Sequence, residues 1–307
     1  MRWYTDPLYS IPTVGGSFLP GLSYIGAFCA LGDFRAVLEE GYRKYPESAF
    51  KIATFDRWLI IVSGRGMVED LRKRPADEIS APRGFQENFQ SKYVLEHAVL
   101  SDRYHGEVAK EKLLKKLPSL VPDIIDEVFV AVDSNIPAGG ENEWKSVDAT
   151  RTIRKILAQA SNRTFVGLPL CEYQYIPLVG NTGITWTISS SIGLLGRNDE
   201  YLALAVGFAT HFAEGAGVLR LVPDFIKPIL APFVNNGKDD IARAVPYLRQ
   251  IIEERTKTFE KLGEAWKDKP NDFLQSMLDR AIPRGEAPSA ITQRLFMFNF
   301  ASIATSS

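Results

Sequence analysis

Cysteine is nearly missing from this chain: Cys29 and Cys171 are the only two in 307 residues. No disulfide framework can hold the fold, and neither residue belongs to a C-x-x-C pair that would bind zinc or cycle redox state, so a reducing compartment is expected. Histidine is almost as scarce. His97, His105 and His211 stand at spacings that match neither a zinc nor a di-metal site, and no H-E-x-x-H or G-x-S-x-G motif occurs. Each histidine taken alone reads as structural. An excess of either charge is also lacking, since 36 basic and 37 acidic residues leave a formal charge of −1, which excludes a bulk field that would recruit nucleic acid. There is no G-x-G-x-x-G or phosphate loop and no alternation of strand and helix, which excludes a doubly wound nucleotide-binding sheet. Internal repeats and low-complexity segments are absent as well.

What is present is a large hydrophobic complement, 45% of residues with 11% aromatics, enough for a sizeable core. Pro7 to Gly32 carries no charge and holds Leu8, Ile11, Phe18, Leu19, Leu22, Ile25 and Phe28. Pro12, Pro20, Gly15, Gly16, Gly21 and Gly26 interrupt it, so it does not read as a transmembrane helix, which needs about 20 regularly hydrogen-bonded apolar residues. Nor does it have the layout of a signal peptide. Residues 1–33 therefore read as a Pro/Gly-rich apolar lead that packs on the body or lies against a bilayer, and 34–307 as part of a single domain.

Phe34 to Tyr45 reads as an amphipathic helix, and Ala49 to Ser63, broken at Asp56-Arg57, as a small hairpin. Helical patterns follow: Met67 to Arg74, a start near His105, Val147 to Phe165, Glu200 to Glu214, Asp239 to Trp266, Asp272 to Ile282, and Ser289 onward with Ser289 as N-cap. The stretch from Pro75 to about Leu100 reads as irregular. Pro118 and Pro122 are expected to punctuate the run Val108 to Val132, and Pro137 to Gly140 to form a loop. In the long penultimate pattern, Tyr247, Ile251, Ile252, Arg255, Phe259 and Leu262 recur as a core face. The fold class is mainly α with a small β-sheet near the N-terminus.

Adjacent carboxylates at Glu39-Glu40, Asp239-Asp240 and Glu253-Glu254 diverge on helices and read as solvated faces. Lys110, Lys112, Lys115 and Lys116 form the densest basic cluster, with the last three expected on one helix side. A solvated face is the default reading, and a docking patch for an acidic partner is the functional one. Leu221 to Val234 sets Phe225, Ile226, Ile229, Leu230 and Phe233 among Pro223, Pro228 and Pro232; membrane contact and packing inside the domain compete as readings. Leu295, Phe296, Met297, Phe298, Phe300 and Ile303 leave the last helix little polar face, so it is expected to need cover from beyond Ser307. Small residues then cluster at Ala301, Ser302, Ala304 and Thr305, where a ligand could approach the backbone and meet a hydroxyl.

The run Ser161-Asn162-Arg163-Thr164-Phe165-Val166-Gly167-Leu168-Pro169-Leu170-Cys171 closely resembles a segment of fungal cytochrome P-450 enzymes of the ent-kaurene-oxidase-like group. Ile11 to Gly16, Ser23 to Ala27, Glu40 to Tyr45, Phe50-Lys51 and Asp56-Arg57-Trp58 agree with it. The resemblance implies the amino-terminal portion of a haem-thiolate monooxygenase that hydroxylates a lipophilic substrate, cut within the helix that faces the haem. It implies that Thr305 helps deliver protons to bound oxygen, with Ala301 and Ser302 facing the haem, and that His105 and Lys110 approach the haem propionates. Lys110 stands where an Arg is usual, and Ala304 where the family has an acid or His.

The resemblance further implies a reductase docking on Lys110, Lys112, Lys115 and Lys116, and the cytosolic face of the endoplasmic reticulum membrane. The axial Cys loop is expected to be absent: Cys29 and Cys171 do not fit its spacing, and Glu40/Arg43 is an E-x-x-R decoy. Asn162-Arg163-Thr164 reads as a chance sequon. The chain alone is expected to be inactive, to be poorly soluble and not to retain haem. A reading from a different class is a non-catalytic truncated helical protein that binds small hydrophobes or partners.

Overall fold

Apolar residues at three- and four-residue intervals drive most of the chain into helices, and the one strand-like stretch near the start becomes a sheet. The computed structural model describes residues 7–19, 21–136, 144–167, 178–180, 183–185 and 198–306. It divides into two compact units, one of residues 1–93 with 214–234 and the other of 94–213 with 235–307.

In the first unit the expected hairpin is β2 (Ala49–Ala53) against β3 (Trp58–Val62), and the apolar lead adds β1 (Thr13–Val14) in parallel to β2, with Thr13 opposite Lys51. Val14, Ala30, Phe50 and Ile52 form the buried cluster under this sheet, with Val37, Leu38, Tyr45 and Ile61 around it. The lead also supplies α1 (Ser23–Gly32), followed by α2 (Phe34–Lys44), whose cap is Asp33 accepting from the Ala36 amide at 2.9 Å. Gly26 lets α1 cross the strand closely: a Cβ there would lie 2.9 Å from the Gly16 Cα. The expected helix near Met67 is α3 (Arg65–Lys73).

The stretch after Pro75 is more ordered than its polar composition implies, because Ser80 caps α4 (Ala81–Asn88) and α5 (His97–Ser101) follows. Continuing the second unit, α6 (Tyr104–Val108) runs through a π-helical segment, Ala109–Leu113, into α7 (Leu114–Asn135). Contrary to expectation, Pro118 and Pro122 do not break it. Leu114, Pro118 and Pro122 all lie on its exposed side, so the carbonyls left unbonded face water. Tertiary packing then holds the helix: buried Gln159 donates to Glu127 at 2.6 Å across to α8 (Ala149–Phe165). The loop expected at Pro137 to Gly140 lies outside the described residues.

A short antiparallel pair, Leu178–Gly180 with Gly183–Thr185, precedes α9 (Asp199–Leu219). By length and composition α9 could cross a membrane. Tyr201, Leu204, Ala205, Phe208 and Phe212 nevertheless bury one full face, as in a core helix. Then come α10 (Lys227–Val234), α11 (Gly237–Leu262), α12 (Phe273–Ala281) and α13 (Pro288–Ser306). The buried face of α11 centres on Leu248, with Ala244, Ile251, Ile252 and Arg255; Leu262 is exposed. Pro288 itself opens α13, with the amides of Ala290 and Ile291 bonding to the Ala287 carbonyl, so Ser289 sits inside the first turn and is not the N-cap.

The largest correction concerns α13. Leu295, Phe296, Phe300 and Ile303 are already buried by this chain's own helices. Phe296 meets Tyr201 and Phe208 edge-on at 5.9 and 5.4 Å, and Phe300 meets Phe212 at 5.0 Å. Along Leu295, Phe296, Phe300 and Ile303, helix α13 is therefore packed inside the second unit by residues of this chain.

Candidate functional site

One face of α13 carries, at helical spacing, Arg294, Phe298, Ala301, Ser302 and Thr305. Its two ends differ in chemistry. Toward the carboxyl end Ala301, Ala304 and Thr305 are exposed and Ser302 is half-buried, while Asn299, Phe300 and Ile303 are buried. The hydroxyls there bond to their own helix: Thr305 Oγ1 donates to the Ala301 carbonyl at 2.6 Å and Ser302 Oγ to that of Asn299 at 3.0 Å. The result is a strip of small side chains where a flat ligand can lie against the backbone.

At the other end Arg294 is 1% exposed. Its Nε and Nη2 donate to Glu286 Oε1 at 2.8 and 2.6 Å, Nη1 to the Asp102 carbonyl, and Nη2 to that of Ala98 at 3.3 Å. Nη1 also lies 2.8 Å from His105 Nδ1. A guanidinium can only donate, so Nδ1 accepts and the imidazole proton is on Nε2. Burial, then Arg294 and Arg103, push the His105 pKa down to about 4. Tyr104, stacked under Arg294 at 4.2 Å, donates its hydroxyl to Glu286, and burial followed by that carboxylate pushes its pKa up. His105 thus belongs to a buried knot that fixes α6 to α13.

The structure brings His105 to the candidate face through Phe298, whose ring it meets edge-on at 5.9 Å. Phe298 lies one turn before Ala301 and Ser302, and Thr305 a further turn on, about 10 Å along the axis from Phe298. Lys110 is exposed in the π-helical segment. The lysines do not form the expected common side: Lys110, Lys112 and Lys115 are exposed, whereas Lys116 turns inward to Ser276 at 3.3 Å and burial lowers its pKa. The extra residue per turn of the π segment changes the phase of the helix there.

The segment Ser161 to Gly167 is a junction. Buried Asn162 and Asn299 exchange amide bonds at 2.8 and 3.4 Å, which also removes Asn162 as a glycan acceptor. Phe165 packs on Phe273 and Phe298. Arg255 forks onto Asp272 at 2.8 and 2.7 Å and reaches the Val166 carbonyl at 3.5 Å. Gly167 has φ of +75°, and a Cβ there would lie 2.7 Å from Asp272 Oδ2. Leu168 to Cys171 lie outside the described residues.

Sequence pattern alone gives no role to Arg294, Glu286 or Phe298. A single Arg before the apolar run of α13 was the available signal, because a charge on a buried helix requires a partner.

Of what a planar apolar cofactor with acidic side arms would need, the structure has an exposed strip of small residues and, as donors for carboxylates, His105 Nε2–H and Lys110 Nζ. Ligands for a metal are a different matter. Exposed Cys29 is on α1 in the first unit, Cys171 lies outside the described residues, and among the described residues there is no His/Cys/Asp/Glu cluster that could hold a metal. Glu40 pairs with Lys44 on α2.

Compared with known proteins, the chain is 44% identical over 307 residues to cytochrome P450 monooxygenase CYP512U6 of Ganoderma lucidum, across 100% of this chain and 55% of that protein. It is 36% identical to cytochrome P450 monooxygenase 151 of Postia placenta over 308 aligned residues, 100% of this chain and 56% of the relative. Cytochrome P450 monooxygenase olcJ of Penicillium canescens matches at 29% over 271 residues, 87% of this chain and 46% of that protein. No family model and no solved structure matches. The chain is thus homologous to fungal cytochrome P450 monooxygenases and spans about half the length of the curated relatives it matches.

Proposed function

We propose that this homologue of fungal cytochrome P450 monooxygenases forms the oxygen-side wall of a haem-thiolate site, in an enzyme of the ent-kaurene-oxidase-like group that hydroxylates a lipophilic substrate with O2 and reductase-supplied electrons. The similarity along the whole chain carries this reading, and the exposed strip Ala301, Ala304 and Thr305 on an otherwise buried helix supports it. Haem, when bound, supplies the oxygen-activating chemistry. The chain's own part is narrower. Thr305 Oγ keeps two acceptor lone pairs while its proton is held by the Ala301 carbonyl, so it can hold a water or pass a proton at that atom. Ala304 offers no acid or imidazole beside it. His105 Nε2–H and the Lys110 ammonium would take the propionates, Lys110 as a point charge. Among the described residues none is placed to supply a thiolate ligand beside this strip.

The exposure of Lys110, Lys112 and Lys115 supports them as a docking patch for a reductase. Membrane contact belongs to the first unit. Ile25 and Phe28 on α1 are exposed, as are Ile229 and Phe233 on α10 and Phe225 just before it, which favours a surface role over packing inside the domain. The endoplasmic reticulum is the compartment this reading implies.

The test is a chimera in which this chain replaces the matching part of the Ganoderma lucidum relative. Expected is a reduced carbon-monoxide spectrum of the thiolate type, with Thr305→Ala keeping that spectrum and lowering product formed per oxygen consumed. A folded chimera without the thiolate band counts against the reading.

A further inference from the structure

Unit 1 contains a cavity of about 380 Å3 whose walls come from α1, the hairpin and the end of α9. That volume is within the range of small-molecule sites, roughly 300–1,000 Å3. Ala27, Ala30, Leu31, Leu59 and Leu221 make it mainly apolar, and Asp56 and Arg220 are its charged members. Leu31 and Leu221 are also exposed, so the cavity opens on the apolar surface that carries Ile25 and Phe28.

The charges are unevenly matched. Asp56 is held by Thr54 and by Arg57 at 3.0 and 2.9 Å, and these bonds together with nearby Arg220 keep its carboxyl below the usual range against the opposing effect of burial. Arg57 has a second carboxylate in Glu87 at 3.3 Å, and Lys227 has Asp224 at 2.8 Å. Arg220 has neither. It donates through Nη1 to the neutral amide of Asn88 at 2.6 Å, and its nearest carboxylate oxygen, on Asp56, is 3.7 Å from Nε, beyond hydrogen-bond reach. Its Nε is buried without a hydrogen-bond partner. A guanidinium in a mainly apolar cavity, with no carboxylate at bonding distance, is suited to a ligand that brings one.

We propose that this cavity binds a lipophilic carboxylic acid, its hydrocarbon against Leu31, Leu59 and Leu221 and its carboxylate on the Arg220 guanidinium. The site names a chemical class for the lipophilic partner that the proposed function leaves open. It rests on that reading only for what becomes of the ligand. Binding itself needs no haem, so failure of the chimera and failure of this site are separate results.

The probe is the fluorescent fatty acid cis-parinaric acid, with its methyl ester as control, titrated into the full chain. Expected is at least tenfold tighter binding of the acid, a preference that falls below threefold in Arg220→Gln and is partly kept in Arg220→Lys. Gly217 lines the cavity and a Cβ there meets no atom within 4 Å, so Gly217→Leu, which adds an isobutyl group at the cavity wall, is expected to abolish binding of both probes. Equal binding of acid and ester overturns the proposal, as does unchanged binding in Gly217→Leu with an unchanged melting temperature. If Arg220→Gln does not fold, the acid-to-ester ratio of the unaltered chain and the Gly217→Leu result still decide.

Discussion

The two ends of α13 lie on one face of one helix and are built in opposite ways. At Arg294 every polar group is bonded inward to Glu286, His105 and two carbonyls, and water is excluded. At Thr305 the side chains are small, exposed and bonded only to their own helix. The difference separates what fixes the helix from what a ligand can reach. Breaking the fixed end is expected to have the largest effect. Arg294→Leu leaves the Glu286 carboxylate, 9% exposed, with the Tyr104 hydroxyl but without its cation, and should cost about 3–5 kcal/mol, as for other buried pairs deprived of one partner. Urea unfolding of the variant measures it, and a loss below 1 kcal/mol would remove the contrast between the ends.

The same end should respond to pH. His105 titrates near 6.5 when unfolded and at about 4 in the fold. The unfolded chain therefore takes up the proton first, and the stability present above pH 6.5 is lost as pH falls toward 4, about 3 kcal/mol in all. His105→Gln keeps an acceptor for Arg294 without the titration, so the difference between the two chains should grow in the variant's favour across this window. Parallel stability curves from pH 7 to 4 would sink the assignment of His105 to the knot.

Smaller in effect is the junction after α8. Gly167→Ala forces a side chain into left-handed backbone, which costs roughly 1–2 kcal/mol, and displaces Asp272 from its bond with Arg255. A drop in melting temperature together with faster amide exchange at the start of α12 is expected; an unchanged melting temperature argues against the junction.

These sites differ in how far sequence foretells them. The helices and the hairpin are legible because their apolar spacing is local. The run through Pro118 and Pro122 is not, because what rescues it is α8, contributed from elsewhere in the chain. Ala301 to Thr305 could be singled out as small residues at the end of an oily helix, whereas the knot needs residues 98, 102, 105, 286 and 294 brought together, and no spacing announces that. Composition misleads most at α13. A helix apolar on nearly every side suggests missing cover, but α8, α11 and α12 of the same chain pack on it, and α9 meets it through Tyr201, Phe208 and Phe212.

Thr305 gives the smallest effect and the sharpest comparison. Its hydroxyl bonds only to the Ala301 carbonyl on an exposed face, so Thr305→Ala should change stability by no more than about 0.5 kcal/mol. Removal of a β-branched residue from a helix also offsets part of the lost bond. In the haem-loaded chimera the same substitution should still lower product per oxygen consumed, and Thr305→Ser, which restores a hydroxyl at that atom, should recover it. If Ala and Ser behave alike in coupling, the hydroxyl has no chemical role and the open end of α13 is a surface only. If Thr305→Ala costs as much stability as Arg294→Leu, the two ends are not different in kind.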